Sequence, residues 1–264
     1  MIEELKYVIL GVIQGFAEFF PISSSGHTTL FSSIFKVAET QPLLFVITLH
    51  FATTLSTIIV YRNRIKELTI DALVKKNNLT LSFLLKLMIS AIPIAIIGFT
   101  CKSNIEKLFD GGNQIVSYML LVTAIILLMS KYAKKSEGEV TYLSAILIGL
   151  AQTIAIIPGI SRSGATITTA LFCGVNRKKA AEFSFLMVLF PIIGMTCIQI
   201  LELANSHNIN LSKIELKGLI LAFFSAWLSG WIACRYMIII VQKNHLNYFG
   251  YYCFMIGVVS LFFI

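Results

Sequence analysis

The chain has 264 residues, 57% of them hydrophobic and 13% charged, with a mean hydropathy of +0.84 and a formal net charge of +8. Soluble domains carry about 25% charged residues, so the composition excludes a water-soluble globule and reads as a polytopic membrane protein. Lys and Arg cluster in short stretches between apolar runs, which is a signature of membrane topology and not of nucleic-acid binding.

Residues 1–37 comprise two short apolar stretches flanking QGFAEFFPISSSGH, residues 14–27. Gln14, Glu18, three serines and His27 interrupt what would otherwise be a spanning helix. No small-residue cleavage site follows a clean apolar stretch, so no cleaved signal peptide is expected. Six runs near the ~20 residues needed to cross a bilayer follow at 45–61, 80–100, 115–130, 183–201, 216–234 and 247–264. The basic connections between them are 62–79, 131–140, 176–182 and 235–246; those at 38–44, 101–114 and 202–215 are poorer in Lys and Arg. Residues 141–175 form a second pair of short apolar stretches, around PGISRSGAT. The five cysteines (Cys101, Cys173, Cys197, Cys234 and Cys253) are scattered without a CxxC spacing and read as small core side chains, not as a metal cluster.

The two polar interruptions are related. GVIQGFAEFFPISSSGHT, residues 11–28, aligns without a gap on GLAQTIAIIPGISRSGAT, residues 149–166, with eight of eighteen positions identical. The matches include Gly11/Gly149, Gln14/Gln152, Ser23/Ser161, Ser25/Ser163, Gly26/Gly164 and Thr28/Thr166. The basic connections swap sides between the halves. Residues 62–79 carry five Lys or Arg and their counterpart 200–217 only two, whereas 38–44 carry none and their counterpart 176–182 carries Arg177, Lys178 and Lys179. Under the positive-inside rule the halves therefore have opposite orientation. The expected fold is one all-α membrane domain over 1–264. It is an inverted-topology repeat (about 1–130 and 141–264) with about six transmembrane helices. Residues 1–37 and 141–175 are expected to be re-entrant helical hairpins whose tips meet, because irregular backbone at membrane depth must be buried in protein or line a wet cavity.

Gln14 and Glu18 lie four apart on one helix face, and Pro21 ends that helix. The serines then open the next helix, where free N–H groups and the dipole favour an anion. The second tip adds Arg162, a forked donor for phosphate oxygens. Two helix starts, Ser23, Ser24, Ser25, Ser161 and Ser163, Thr166 and an arginine suit a diphosphate. Glu18 suits Mg²⁺, which takes one or two carboxylates plus substrate phosphates. The serines can serve as caps or interhelical hydrogen bonds, and Gln14 and Gln152 as glue between helices. His50 reads as a satisfied core histidine, and Glu182 as a loop-end charge. Glu18 and Arg162, ionisable at membrane depth, read as functional, their bland alternative being an ion pair with each other. Inverted repeats with helix ends at mid-membrane also serve transporters, so a carrier or flippase for a phosphorylated lipid or anion is the second reading.

Gln14-x-x-x-Glu18, then Pro21-x-Ser-Ser-x-Gly26-His27, with Pro158-Gly159-x-Ser161-Arg162-Ser163-x-x-Thr166 and Glu182-Phe183-Ser184-Phe185, closely resembles the undecaprenyl-diphosphate phosphatase family of the bacitracin-resistance type, over the full length. The resemblance implies an inner-membrane enzyme, open toward the periplasm, that hydrolyses undecaprenyl diphosphate to the monophosphate and phosphate with Mg²⁺ or Ca²⁺. A homodimer is one assembly left open. By position, it implies Ser24 as nucleophile or phosphate ligand and His27 as acid/base or alternative nucleophile. Arg162 would bind the diphosphate, and Glu18 would serve the metal or proton transfer, with Gln14 beside it. Ser23, Ser25, Gly26, Ser161, Ser163, Gly164 and Thr166 would complete the substrate cradle. The three-residue spacing of Ser24 and His27 lets the imidazole approach the hydroxyl, and the helix-start position favours Ser24 as the attacker. The chain departs from the family pattern at Gln14, where a glutamate also occurs, and at Val46, where many members carry an acid.

Overall fold

The computed structural model describes residues 2–35, 42–101, 112–205 and 213–263, together with 103, 105 and 108. Among the described residues the chain is all-helical, with no strand beyond one isolated bridge, Gly138 to Val175. In chain order the helices are α1 (Ile2–Phe19), α2 (Ser24–Phe35), α3 (Pro42–Val60), α4 (Arg62–Leu73), α5 (Asn78–Thr100), α6 (Gly112–Met129), α7 (Tyr142–Ile154), α8 (Arg162–Phe172), α9 (Arg177–Met187), α10 (Leu189–Asn205), α11 (Lys213–Gln242) and α12 (Leu246–Phe263). By length and composition five helical stretches can cross a membrane, or six when α3 and α4, bent by 71° at Tyr61, count as one span. Large apolar side chains such as Leu79, Phe99, Phe262 and Phe263 point outward, as a lipid-facing surface requires.

The expected spans coincide with α3, α5, α6, α9–α10, α11 and α12. Three expected connections are shorter than the charge pattern suggested. Residues 62–73 of the first basic stretch are helix α4, the stretch from 176 has coiled into α9 by Arg177, and α11 continues through Arg235 to Gln242. A basic residue does not stop a helix. Its long stem lets the charge reach the membrane surface while the backbone ladder continues, and Arg235 lies 5.1 Å over the Trp231 ring of its own helix. Of the connections expected at 38–44, 101–114 and 202–215, residues 38–41, 102, 104, 106, 107, 109–111 and 206–212 lie outside the described residues.

Small residues set the helix pairing, since in lipid the gain comes from close packing and not from water release. α1 lies along α11, with Gly11 and Gly15 facing Ala222, Ser225, Ala226 and Ser229; a Cβ on Gly15 would sit 2.5 Å from the Ala226 carbonyl oxygen. α7 lies along α5, where a Cβ on Gly149 would sit 2.5 Å from the Ser90 carbonyl oxygen. α6 and α12 pair through Gly250 and Gly257, and the Ser117 and Ser260 hydroxyls share a hydrogen bond of 2.6 Å.

The two helix pairs that hold the polar motifs both fold back. Phe31 and Phe35, near the end of α2, pack into the same cluster as Tyr7 and Leu10 of α1. Asn176, just after α8, donates its N–H to the Gly138 carbonyl just before α7, at 2.9 Å. The Asn176 amide also donates to Glu137, and Lys179 pairs with Glu139. Arg64 of α4 pairs with Glu182 of α9 at 2.7 Å, so the basic segments of both halves gather on one side of the protein. Glu182 is therefore an ion-pair partner in the middle of α9 and not the loop-end charge expected, because the helix starts at Arg177.

Candidate active site

Each helix pair turns through a short irregular tip. α1 stops at Phe19 because Pro21 cannot donate to the helical ladder, and Ser23 then caps α2 in a left-handed conformation, φ +71°. That conformation costs a non-glycine residue about 1 kcal/mol, and the surroundings hold it. Gly26 donates its N–H to Ser23 Oγ at 3.2 Å, and His27 Nδ1 lies 2.9 Å from the Ser23 carbonyl oxygen. The second tip repeats the cap with Ser161, whose Oγ accepts the Gly164 N–H at 3.1 Å. Its left-handed turn residue is Gly159, φ +99°. Thr123 of α6 braces this tip, donating to the Gly159 carbonyl at 2.8 Å and accepting from the Ser161 N–H at 2.9 Å. Thr28 and Thr166 bond back to the carbonyls of Ser24 and Arg162, at 2.9 Å and 2.8 Å.

The tips meet. A Cβ on Gly26 would lie 3.1 Å from the Gly159 Cα, so the glycine permits the close approach. Arg162 of the second tip pairs through Nη2 with Glu18 Oε1 of the first. The other oxygen, Oε2, accepts the Ser24 hydroxyl at 2.8 Å and the Gln14 amide at 3.1 Å. Glu18 and Arg162 are thus ion-paired with each other across a cavity of about 570 Å³. Its polar wall includes Gln14, Glu18, Ser23, Ser24, Ser25, Ser161, Arg162 and Ser163; its apolar wall includes Phe45, Val46, Leu49, Ile160 and Ile192. Gly26, Gly164 and Thr166 are buried behind that wall, where Thr166 shares a 2.6 Å hydrogen bond with Ser184. The expected pairing of His27 with the Ser24 hydroxyl is not formed. His27 is buried, 2% exposed, and its Nε2 lies 2.9 Å from the Tyr252 hydroxyl, with the two rings stacked. A carbonyl can only accept, so Nδ1–H donates to the Ser23 oxygen, and in the neutral imidazole Nε2 then accepts the Tyr252 hydroxyl. Tertiary contact with the last helix overrides the proximity that the spacing offered.

Two residues on the wall were undervalued in the sequence. His50 is 37% exposed, and its Nδ1, without a hydrogen-bond partner among the described residues, lies 3.9 Å from Glu18 Oε2. It is not the satisfied core histidine expected, and its companion comes from another helix, which local spacing could not reveal. Gln152 also lines the cavity, and its amide has no hydrogen-bond partner among the described residues.

For a divalent cation, the cavity offers Glu18 as its one carboxylate among the described residues, and no group of three His, Cys, Asp or Glu there could enclose an ion. The donors fit a hard cation only jointly with substrate phosphates.

A family model for bacitracin resistance protein BacA matches residues 7–259. The chain is 40% identical over 258 residues to a protein of Christiangramia forsetii, covering 97% of this chain and 96% of that one. It is 40% identical over 260 residues to one of Bacteroides fragilis, covering 98% and 97%. It is 38% identical over 257 residues to one of Carboxydothermus hydrogenoformans, covering 96% and 95%. All three carry the name undecaprenyl-diphosphatase.

Proposed function

The chain belongs to the BacA family of bacitracin resistance proteins, and from that premise we infer that it is an undecaprenyl-diphosphate phosphatase, as its relatives are named. It hydrolyses undecaprenyl diphosphate to undecaprenyl phosphate and inorganic phosphate, recycling the lipid carrier of envelope polymers. The observation that carries a site for this reaction is the meeting of Ser24, Glu18 and Arg162 on one cavity wall. The diphosphate draws Arg162 away from Glu18 and takes its fork, with Ser23, Ser25, Ser161 and Ser163 as further donors. Ser24 Oγ attacks the terminal phosphorus while Glu18, already hydrogen-bonded to that hydroxyl, takes its proton. The bond to the bridging oxygen breaks, and undecaprenyl phosphate leaves with that oxygen and with the proton that Glu18 hands on to it, which returns Glu18 to the carboxylate. Water then splits the serine phosphate, giving its hydroxyl to phosphorus and its hydrogen to Ser24. His27 acts as a positioning residue, bracing the left-handed Ser23 beside the nucleophile. Glu18 and Gln14, with the substrate phosphates, would hold Mg²⁺ or Ca²⁺, which supplies neutralisation of the phosphate charge.

The helix pairs α1–α2 and α7–α8 are re-entrant hairpins of an inverted repeat in this reading. Four features support it: α1 packs on α11 as α7 packs on α5, the aligned Gly11 and Gly149 both sit at those close approaches, Ser23 and Ser161 both cap, and both ends of α7–α8 leave by one side. The basic side faces the cytoplasm of the plasma membrane, and the cavity opens toward the periplasm. Detergent micelles have no two sides to transport between, so phosphate released there over many turnovers separates hydrolysis from carriage. Binding without release would return the carrier reading.

A further inference from the structure

Gln14 and Gln152 occupy the same position in the two repeats, yet their amides do different things. Gln14 donates to Glu18, four residues on. The residue four after Gln152 is Ile156, so the second repeat offers no carboxylate at the equivalent place. Gln152 is 1% exposed and lines the cavity, and neither its Nε2 nor its Oε1 has a hydrogen-bond partner among the described residues. Arg162 Nη1, on the same wall, is likewise buried and unpartnered, while Nη2 is occupied by Glu18. A buried amide with nothing to bond is disfavoured relative to an apolar side chain of the same shape. Such a group is retained where a ligand supplies the partner. Two unsatisfied donors facing one cavity, one of them a guanidinium, call for an acceptor that carries negative charge and several lone pairs.

We propose that Gln152 is a substrate-binding residue whose amide donates to a non-bridging oxygen of the diphosphate, beside the hydrogen bond that Arg162 Nη1 makes to the same group. The repeat has thus diverged by role. The glutamine of the first tip orients Glu18, and that of the second meets the substrate. The inference rests on the phosphatase reading above.

The test uses the purified full-length protein in detergent micelles, with Gln152→Met as a near-isosteric change that removes both polar atoms. Two quantities are measured, the thermal midpoint with and without inorganic pyrophosphate, and kcat and KM for undecaprenyl diphosphate. The expected result is a ligand-free midpoint at or above wild type, loss of most of the pyrophosphate-induced rise, and a KM about ten- to a hundredfold higher, as for a lost hydrogen bond to a charged group, with kcat changed far less. A glutamine that merely joins helices would behave in the opposite way, with a lower midpoint, an unchanged pyrophosphate shift and a wild-type KM, and that result overturns the proposal. Should Gln152→Met fail to fold, Gln152→Glu removes the donor and keeps the shape, and it must weaken pyrophosphate stabilisation or the proposal is wrong. A wild type that neither hydrolyses the lipid nor responds to pyrophosphate would remove the phosphatase reading and this inference with it. A responsive wild type matched by Gln152→Met would remove the inference alone.

Discussion

Arg162 occupies two positions in the reaction proposed here. In the structure its Nη2 holds Glu18 and its Nη1 has no hydrogen-bond partner among the described residues; in the proposed reaction both nitrogens would face phosphate oxygens. Lysine would keep the charge but not the fork. Arg162→Lys should therefore insert and fold while losing about 10- to 100-fold in kcat/KM, the cost of one charged hydrogen bond, about 1.5–3 kcal/mol. Near-normal kcat/KM in that variant would show that point charge suffices. At this scale the sequence revealed the residues that are costly in a membrane, Glu18 and Arg162, because an ionisable group there needs a reason. It did not reveal orientation. Three-residue spacing placed His27 and Ser24 on one helix, but the imidazole turns to Tyr252 on α12 and the hydroxyl turns to Glu18 on α1. It also hid His50, whose neighbour Glu18 comes from another helix.

Among the elements, the helix pairs are held where glycine lets two backbones touch. A methyl group on Gly149 would fall 2.5 Å from the Ser90 carbonyl oxygen, a backbone atom that cannot rotate away. Gly149→Ala should lower stability by about 1–3 kcal/mol through overpacking, read as a reduced thermal midpoint in detergent. Gly98, inside α5, has nothing within 4 Å of an added methyl. Gly98→Ala should leave the midpoint unchanged or raise it, since alanine favours a helix by about 0.5–1 kcal/mol over glycine. Equal effects of the two changes would mean that the α5–α7 contact does not limit stability. The spans were legible because apolar length is a direct physical requirement of the bilayer. Helix ends were not. Arg62 and Arg235 marked connections by charge, yet both lie within helices, because charge locates the membrane surface and backbone hydrogen bonding decides where the coil stops.

Over the whole molecule, the pairing of Arg64 with Glu182 and of Lys179 with Glu139 draws the basic segments of both halves to one side. In a cysteine-free background, cysteines at Asn77 and Lys135 should be labelled only from the cytoplasm, and one at Gln114 only from outside. Labelling of Gln114 and Asn77 from the same side would sink the inverted orientation. The likeness of the two tips was legible at the level of residues, in the matched Gly11/Gly149 and Ser23/Ser161. The meeting of the tips came from a rule about buried backbone, and the structure supplies the contacts, Gly26 against Gly159 and Glu18 with Arg162. The central claim is that these joined tips form one phosphoryl-transfer site with Ser24 as the attacker and Glu18 as its base. Rapid acid quenching of the enzyme during turnover on undecaprenyl diphosphate labelled in the terminal phosphate tests it most directly. The account expects an acid-stable phosphoserine at position 24, absent from Ser24→Ala, which should release no phosphate. An acid-labile, base-stable phosphoenzyme, or steady phosphate release by Ser24→Ala, would contradict it.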